Sequence, residues 1–168
     1  MRKVVTKTLA VLAGGMFSAA ALTFVQTEEG LRTKAYRDQG GLPTICYGHT
    51  RGVDMGDEHT PEECAHMLEY ELGQYVKYVD LTAHRKLPDE MRISLASHVY
   101  NVGKANYSNS TLLRHVRAGH LAEACEELPK WVYVGHAGHK VQSQGLIERR
   151  AAERELCLIG ANREVGRK

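Results

Sequence analysis

The chain lacks an excess of charge of either sign. Its formal net charge is +2, from 22 basic and 20 acidic residues among 168. Arg2, Lys3 and Lys7 are the only charged residues before Glu28, so the remainder holds 19 basic and 20 acidic residues. A nucleic-acid-binding protein usually clusters positive charge on one face. The near balance of charge argues against this class, and we expect no nucleic-acid partner.

Internal repeats, linkers and low-complexity stretches are also absent. With the first 27 residues set aside, about 140 residues remain, which is enough to bury a hydrophobic core. We therefore expect two parts, an N-terminal segment over residues 1–27 and one folded domain over residues 28–168.

Charge is missing altogether from residues 8–27, which read TLAVLAGGMFSAAALTFVQT. Twenty helical residues span about 30 Å, the thickness of the hydrocarbon core of a bilayer. Eleven of the twenty are Gly, Ala, Ser or Thr, so the segment is only weakly apolar. Three interpretations remain open: a signal peptide cleaved near Ala19-Ala20-Ala21, a permanent anchor, or a helix that inserts and later leaves the bilayer. The basic residues before it would stay in the cytoplasm and send the rest of the chain outward.

The folded part has the pattern of a mostly helical α+β domain. Helices are predicted over residues 59–80, 89–100, 110–119, 121–128 and 146–159. Residues 29–37 also have helical spacing, residues 40–56 are predicted to form one small β-hairpin, and residues 133–145 are predicted to form a Gly- and His-rich loop.

Particular residues define these helices. Thr60 and Glu63 form a capping box around Pro61 at the start of the first. Met91, Leu95 and Val99 lie on one apolar face of the second. In the last helix we expect the following residues to face the core: Ile147, Ala151 and Leu158.

The stretch from Glu29 to Thr50 contains the residue types of a sugar-cleaving site. Asp38 lies nine positions after Glu29, and Thr44 lies six positions after Asp38. Glycoside hydrolysis needs one carboxyl group that protonates the leaving oxygen and a second that acts on the other side of the sugar. Glu28 is the second candidate for the acid, but it lies one residue further from Asp38. The spacing alone is weak, because such pairs usually lie on a solvated surface.

Three ordered blocks resemble the phage-type lysozymes, family 24 of the glycoside hydrolases. The first is Glu-x8-Asp-x5-Thr, set in EGLR, YRD and TICYGH. The second is YNVG at residues 100–103 followed by STLLR at residues 110–114, and the third is GLIERRAAER at residues 145–154. The resemblance covers about residues 28–160. One departure is Pro43, which stands where family members often carry an aromatic residue.

The resemblance implies a lysozyme-like fold with a small hairpin lobe, a larger helical lobe and a cleft between them. It implies that Glu29 is the general acid and that Asp38 stays ionised, to position water or stabilise developing positive charge. Thr44 would hold that water, and the reaction would invert the sugar carbon. Tyr100 and Ser110 fall in blocks that line the sugar cleft of the family, with core packing or helix capping as the alternative.

The N-terminal segment resembles the signal-anchor-release segment of a subclass of phage lysozymes. That resemblance implies an enzyme tethered inactive to the host inner membrane through residues 8–27, with a cytoplasmic N-terminus. While the chain is tethered, Glu29 would lie at the membrane surface, away from Asp38. Release into the periplasm would let the first helix join the fold and would activate the enzyme. A holin that collapses the membrane is the partner implied.

The chain contains four cysteines, and an even number in an exported domain predicts two disulfides with three possible pairings. We hypothesise Cys46–Cys64, which would tie the hairpin to the next helix, and Cys125–Cys157, which would tie two late helices together. Free, buried cysteines are the alternative. A Cys-x-x-Cys motif is absent, which argues against a zinc or thioredoxin-like site.

Histidines raise the question of a metal. His136 and His139 have ligand-like spacing, yet two solvated histidines in a Gly-rich loop are the favoured interpretation. We expect His49 to make a structural hydrogen bond. We expect neither a metal nor another cofactor.

Together, residues and resemblance predict a monomeric muramidase, a phage endolysin. It would cut the β-1,4 bond between N-acetylmuramic acid and N-acetylglucosamine in peptidoglycan and so lyse a bacterial host. One alternative is a catalytically inactive, membrane-tethered peptidoglycan-binding protein, and a more distant one is a metal-dependent wall peptidase. The presence of Glu29, Asp38 and Thr44 argues against the inactive binder.

Overall fold

The structure is a computed structural model that describes residues 30–38, 40–136 and 139–166. Its elements in chain order are β1 (Arg32–Arg37), β2 (Pro43–Cys46), α1 (Pro61–Ala83), α2 (Asp89–Val102), α3 (Lys104–Ser108), α4 (Thr111–Ala118), α5 (Leu121–Glu126), a 3-10 turn (Leu128–Lys130), β3 (Tyr133–His136), β4 (His139–Gln142) and α6 (Gln144–Val165). The two candidate acids Glu28 and Glu29, and the N-terminal segment, lie outside the described residues. Within those residues, no helix combines the length and the apolar character that crossing a bilayer requires.

The chain divides into two compact units, and the boundary falls after Glu69, inside α1. In the described part of the first unit, β1 and β2 form a hairpin, and in the second unit helices predominate. The predicted α+β class, mostly helical with a small hairpin, is confirmed.

The prediction of helical structure over residues 29–37 is wrong for its described part. Arg32–Arg37 is a strand, and it pairs antiparallel with β2 through Tyr36 opposite Thr44 and Arg37 opposite Pro43. So short a segment cannot sustain a helix alone, whereas the neighbouring strand supplies hydrogen-bond partners that sequence spacing does not reveal. The helical spacing of residues 29–37 is therefore no guide to their structure.

The predicted capping box at the start of α1 is present. The Thr60 N–H donates to Glu63 Oε2 at 2.7 Å, and the Glu63 N–H donates to Thr60 Oγ1 at 3.2 Å. The bond from the Thr60 backbone lowers the pKa of Glu63 below its ordinary value. The helix continues to Ala83, three residues past its predicted end.

A second hairpin replaces the loop predicted over residues 133–145. β3 pairs antiparallel with β4, with Val134 opposite Val141 and His136 opposite His139. The high Gly and His content concealed the alternating strand pattern. The short helix α3, Lys104–Ser108, was also missed, because five residues are too few to show helical periodicity.

Helix α6 turns a different face to the core from the one predicted. Ile147 is 36% exposed and Ala151 is also exposed, so both expectations were wrong, and Leu158 is only half-buried. The buried residues include Arg149, Arg150, Glu153, Cys157 and Ala161. Apolar periodicity misplaced the face because three of these side chains are charged.

Those charged side chains of α6 bond to one another and to polar side chains of α2. Glu153 Oε1 accepts hydrogen bonds from Ser97 Oγ at 2.8 Å, Arg150 Nη2 at 2.9 Å and Arg149 Nε at 3.1 Å. Arg150 Nη1 lies 2.7 Å from His98 Nδ1. Because a guanidinium can only donate, Nδ1 accepts, and the neutral His98 ring carries its proton on Nε2. The predicted apolar face of α2, with Met91, Leu95 and Val99, is fully buried beside this cluster.

Both hypothesised disulfides are present. Cys46 at the end of β2 is bonded to Cys64 in the first turns of α1, with their Cα atoms 5.0 Å apart. Cys125 in α5 is bonded to Cys157 in α6, with their Cα atoms 5.6 Å apart. One bridge thus lies within each unit.

Candidate active site

The β1–β2 hairpin brings two of the predicted catalytic residues to one turn. Asp38 follows the last residue of β1, and Thr44 is the second residue of β2. The Asp38 N–H donates to the Leu42 carbonyl at 3.0 Å, and the Gly41 N–H donates to the Asp38 carbonyl at 2.9 Å. The turn is therefore closed by its own backbone, and Asp38 and Thr44 lie on either side of Leu42.

One oxygen of the Asp38 carboxylate is held inside this turn. Oδ1 accepts hydrogen bonds from the N–H groups of Gly40 and Leu42, each at 2.9 Å. A Cβ atom at Gly40 would lie 3.3 Å from Oδ1, so only a residue without a side chain fits without displacement. Gly41 has φ +80°, a backbone conformation that favours glycine. Among the described residues, both hydrogen bonds to this half-buried carboxylate go to Oδ1.

Thr44 has a fixed hydroxyl orientation. The side chain is 3% exposed, and Oγ1 donates to the Leu42 carbonyl at 3.0 Å. Since the hydroxyl proton is engaged, the oxygen lone pairs remain to accept a bond from a donor such as water. The departure at Pro43 does not disturb the hairpin, because proline at the first position of a strand needs no ladder N–H.

The predicted substrate residues lie in the second unit. Ser110 is 6% exposed and caps α4: its Oγ accepts from the Leu113 N–H at 3.1 Å and donates to the Tyr107 carbonyl at 2.6 Å. Ser110 therefore caps a helix, which was the alternative to its role in substrate binding. Tyr100 is half-buried and meets the Tyr75 ring edge-on, with the ring centroids 5.4 Å apart.

Asn101, the neighbour of Tyr100, lines a groove of about 740 Å³ in the second unit. Asn106, Lys130, Trp131 and Tyr133 are among its other lining residues. Their amide and ammonium groups can hydrogen-bond to a ligand, and their aromatic rings can pack against one. Sequence reasoning singled out none of these four lining residues as functional, although the only tryptophan of the chain, next to a lysine, was a usable signal.

Histidines do not form a metal centre in the part of the chain that the structure describes. No three His, Cys, Asp or Glu side chains converge there as ligands. His49 Nε2 lies within hydrogen-bond distance, 2.8 Å, of the Arg51 carbonyl, which bears out its expected structural role.

The comparisons with known proteins agree with this geometry. The sequence profile of the family described as phage lysozyme matches residues 26–153. A SAR-endolysin of Bacteriophage PS119 is 35% identical over 158 residues, covering 90% of this chain and 92% of that protein.

Solved structures extend the likeness to the fold. The endolysin from Escherichia coli O157:H7 phage FAHEc1 is 30% identical with a TM-score of 0.77, over 88% of this chain and 96% of that one. The muramidase domain of SpmX from Asticcacaulis excentricus is 30% identical with a TM-score of 0.78, over 83% of this chain and 95% of that one. The hairpin turn, the helical unit and these matches together place the chain in the phage lysozyme family.

Proposed function

We propose that the chain is a phage endolysin, a muramidase that hydrolyses the β-1,4 bond between N-acetylmuramic acid and N-acetylglucosamine in peptidoglycan. Membership in the lysozyme family supports the activity, and the endolysin relatives support host lysis as its purpose. The observation that carries the proposal is the closed turn that fixes the Asp38 carboxylate through two backbone N–H groups on Oδ1.

In the proposed reaction, three residues have separate roles. Glu29 gives its proton to the glycosidic oxygen as the bond to the sugar carbon breaks. A water molecule, held by the lone pairs of Thr44, attacks the same carbon from the opposite side. The proton that this water loses passes to Asp38 Oδ2, and the configuration of the carbon is inverted. Tyr100 and Ser110 are proposed to bind substrate, because both lie in sequence blocks that resemble the family.

Residues 8–27 are proposed to hold the enzyme inactive on the host inner membrane until release into the periplasm. The name SAR-endolysin carried by relatives supports this regulation, as does the weakly apolar composition of the segment. Dependence on a holin and action as a monomer belong to the same proposal. Comparing the intact mass and the location of the full chain before and after membrane depolarisation tests it. An uncleaved chain that becomes soluble as lysis begins is expected, and a shortened chain that is soluble from the start contradicts tethering.

The catalytic assignment is tested with Glu29→Gln, which removes the acidic proton at constant size. We expect the loss of essentially all release of reducing ends from purified peptidoglycan, with an unchanged melting temperature. Glu28→Gln is the matched control, because it removes the neighbouring carboxylate, and it should keep wild-type activity. Full activity in Glu29→Gln overturns the assignment. Wild-type protein that binds peptidoglycan without cleaving it favours the inactive binder instead.

A further inference from the structure

Arg37 reaches across the turn that holds Asp38. It is the last residue of β1, its side chain is exposed, and its Nη1 donates to the Gly41 carbonyl at 2.7 Å. A hydrogen bond from a guanidinium is charge-assisted and stronger than one between neutral groups. The side chain next to Asp38 in sequence therefore anchors the far end of the same turn.

The Gly41 carbonyl belongs to the same peptide group as the N–H that donates to the Asp38 carboxylate. The Gly41 C=O and the Leu42 N–H lie in one rigid peptide plane and point in opposite directions. The Leu42 N–H donates to Asp38 Oδ1 at 2.9 Å. Holding the Gly41 oxygen thus orients the Leu42 N–H toward Oδ1. Gly41 with φ +80° has more backbone freedom than other residues, so the bond from Arg37 adds a restraint on this plane to those within the turn.

We propose that Arg37 is a positioning residue for Asp38, acting through the Gly41–Leu42 peptide group. The proposal rests on the proposed role of Asp38 in hydrolysis. Without the guanidinium the peptide plane rotates more freely, the bond to Oδ1 loosens, and Oδ2 spends less time at the place where it receives the proton of the attacking water. Because a small misplacement of a reacting group lowers the rate of the chemical step, kcat falls while KM stays nearly constant.

The first experiment compares Arg37→Ala, Arg37→Lys and Arg51→Ala in the full chain with a soluble peptidoglycan fragment. We expect Arg37→Ala to lower kcat about ten-fold and to change KM by less than about two-fold. Arg37→Lys keeps a cationic donor and should recover most of kcat. Arg51 is exposed in the same unit, so its replacement removes an equal charge and should leave kcat and KM unchanged.

Melting temperatures of the three variants should match the wild type, since both arginines are exposed. Wild-type kcat in Arg37→Ala overturns the proposal. A raised KM with constant kcat also overturns it, because this indicates direct contact with the wall polymer. Failure of lysine to recover activity counts against the charged-donor argument and equally overturns it.

The second experiment repeats Arg37→Ala in an Asp38→Asn background, with the residual rate followed over long incubations. The amide oxygen of Asn can still accept from Gly40 and Leu42, but the negative charge is gone. If Arg37 acts only through the carboxylate, its loss adds nothing there. A further ten-fold loss overturns the positioning role. Wild-type activity in Asp38→Asn alone instead rejects the proposed role of Asp38, so the two failures are distinguishable.

Discussion

Two carboxylates, Asp38 in the hairpin turn and Glu153 between α2 and α6, each receive fixed donors on one oxygen but in opposite surroundings. Asp38 is half-buried, and its donors are the neutral backbone N–H groups of Gly40 and Leu42. Glu153 is fully buried, and two of its donors are guanidinium ions. The first arrangement leaves an oxygen able to meet a ligand, whereas the second matches a negative charge to positive ones inside the fold.

Within a single chain, one carboxylate is thus half-buried with neutral donors, and the other is fully buried with charged donors. A group that takes part in proton transfer must be accessible and held by donors that do not neutralise it. An ionised group that joins two helices is excluded from water, and it needs an ion pair because an unpaired buried charge is costly. Burial acts to raise the pKa of Glu153, but the charges of Arg150 and Arg149 act against it, and the pKa lies below its ordinary value.

The largest effect is expected from Glu153→Gln, which removes the buried carboxylate that pairs with both Arg149 and Arg150. We expect a loss of about 3–5 kcal/mol in the free energy of unfolding, measured by urea denaturation. The matched control is Glu126→Gln, which breaks the exposed ion pair with Arg154 and should change stability little. Equal losses in the two variants would mean that burial does not distinguish them.

Removing one disulfide from each unit compares the units directly. Cys125 and Cys157 are 32 residues apart, and Cys46 and Cys64 are 18 apart. The chain-entropy relation gives losses of about 4 and about 3 kcal/mol for the respective paired Cys→Ala variants. Calorimetric melting of each double variant under non-reducing conditions measures both. A larger loss from the 18-residue bridge would show that loop length does not set the order.

The smallest effect concerns the pH dependence that His98 gives to the second unit. Burial lowers the pKa of His98 below its ordinary value of 6.5, and the charges of Arg150 and Arg149 also lower it. Below its ordinary pKa, His98 is protonated in the unfolded chain but not in the folded chain. The free energy of unfolding therefore has its full value above about pH 6.5 and falls as the pH drops below it. One proton limits the slope to about 1.4 kcal/mol per pH unit.

Urea midpoints of the wild type and of His98→Asn, measured from about pH 8 to about pH 5.5, test this pH dependence. The variant should lose most of the slope in this window, because its side chain does not titrate. Glu153, with its lowered pKa, contributes stability that is lost only below its ordinary value of 4.5, outside the window. An identical slope in both proteins would assign the pH dependence to other groups.

Local signals predicted the helices well. The capping box at Thr60 and the Ser110 cap mark helix starts because they are satisfied within a few residues of chain. The α2 face with Met91, Leu95 and Val99 was also predicted correctly, since those residues are apolar and lie in the core. Two of the three predicted catalytic residues, Asp38 and Thr44, lie in the hairpin as expected. Glu29 stays a prediction.

The wrong predictions concern elements whose partners lie on another segment of the chain. β1 pairs with β2, and β3 pairs with β4, so their hydrogen bonds are made to a neighbouring strand and not within the segment itself. The face of α6 was misassigned because Arg149, Arg150 and Glu153 are buried against Ser97 and His98, more than fifty residues earlier. Periodicity assigns charged side chains to the surface unless their partners are known.

Residue types along the chain were enough to indicate the family, most of the helical segments, a hairpin with Asp38 and Thr44, and two disulfides. Those features depend on residue type and on spacing over a few positions. Tertiary structure alone decided that Asp38 Oδ1 is held by two amides, that Arg37 reaches Gly41, and that a charged face of α6 is buried. Each depends on which way a side chain or peptide plane points once the chain has closed on itself, and spacing carries no information about that direction.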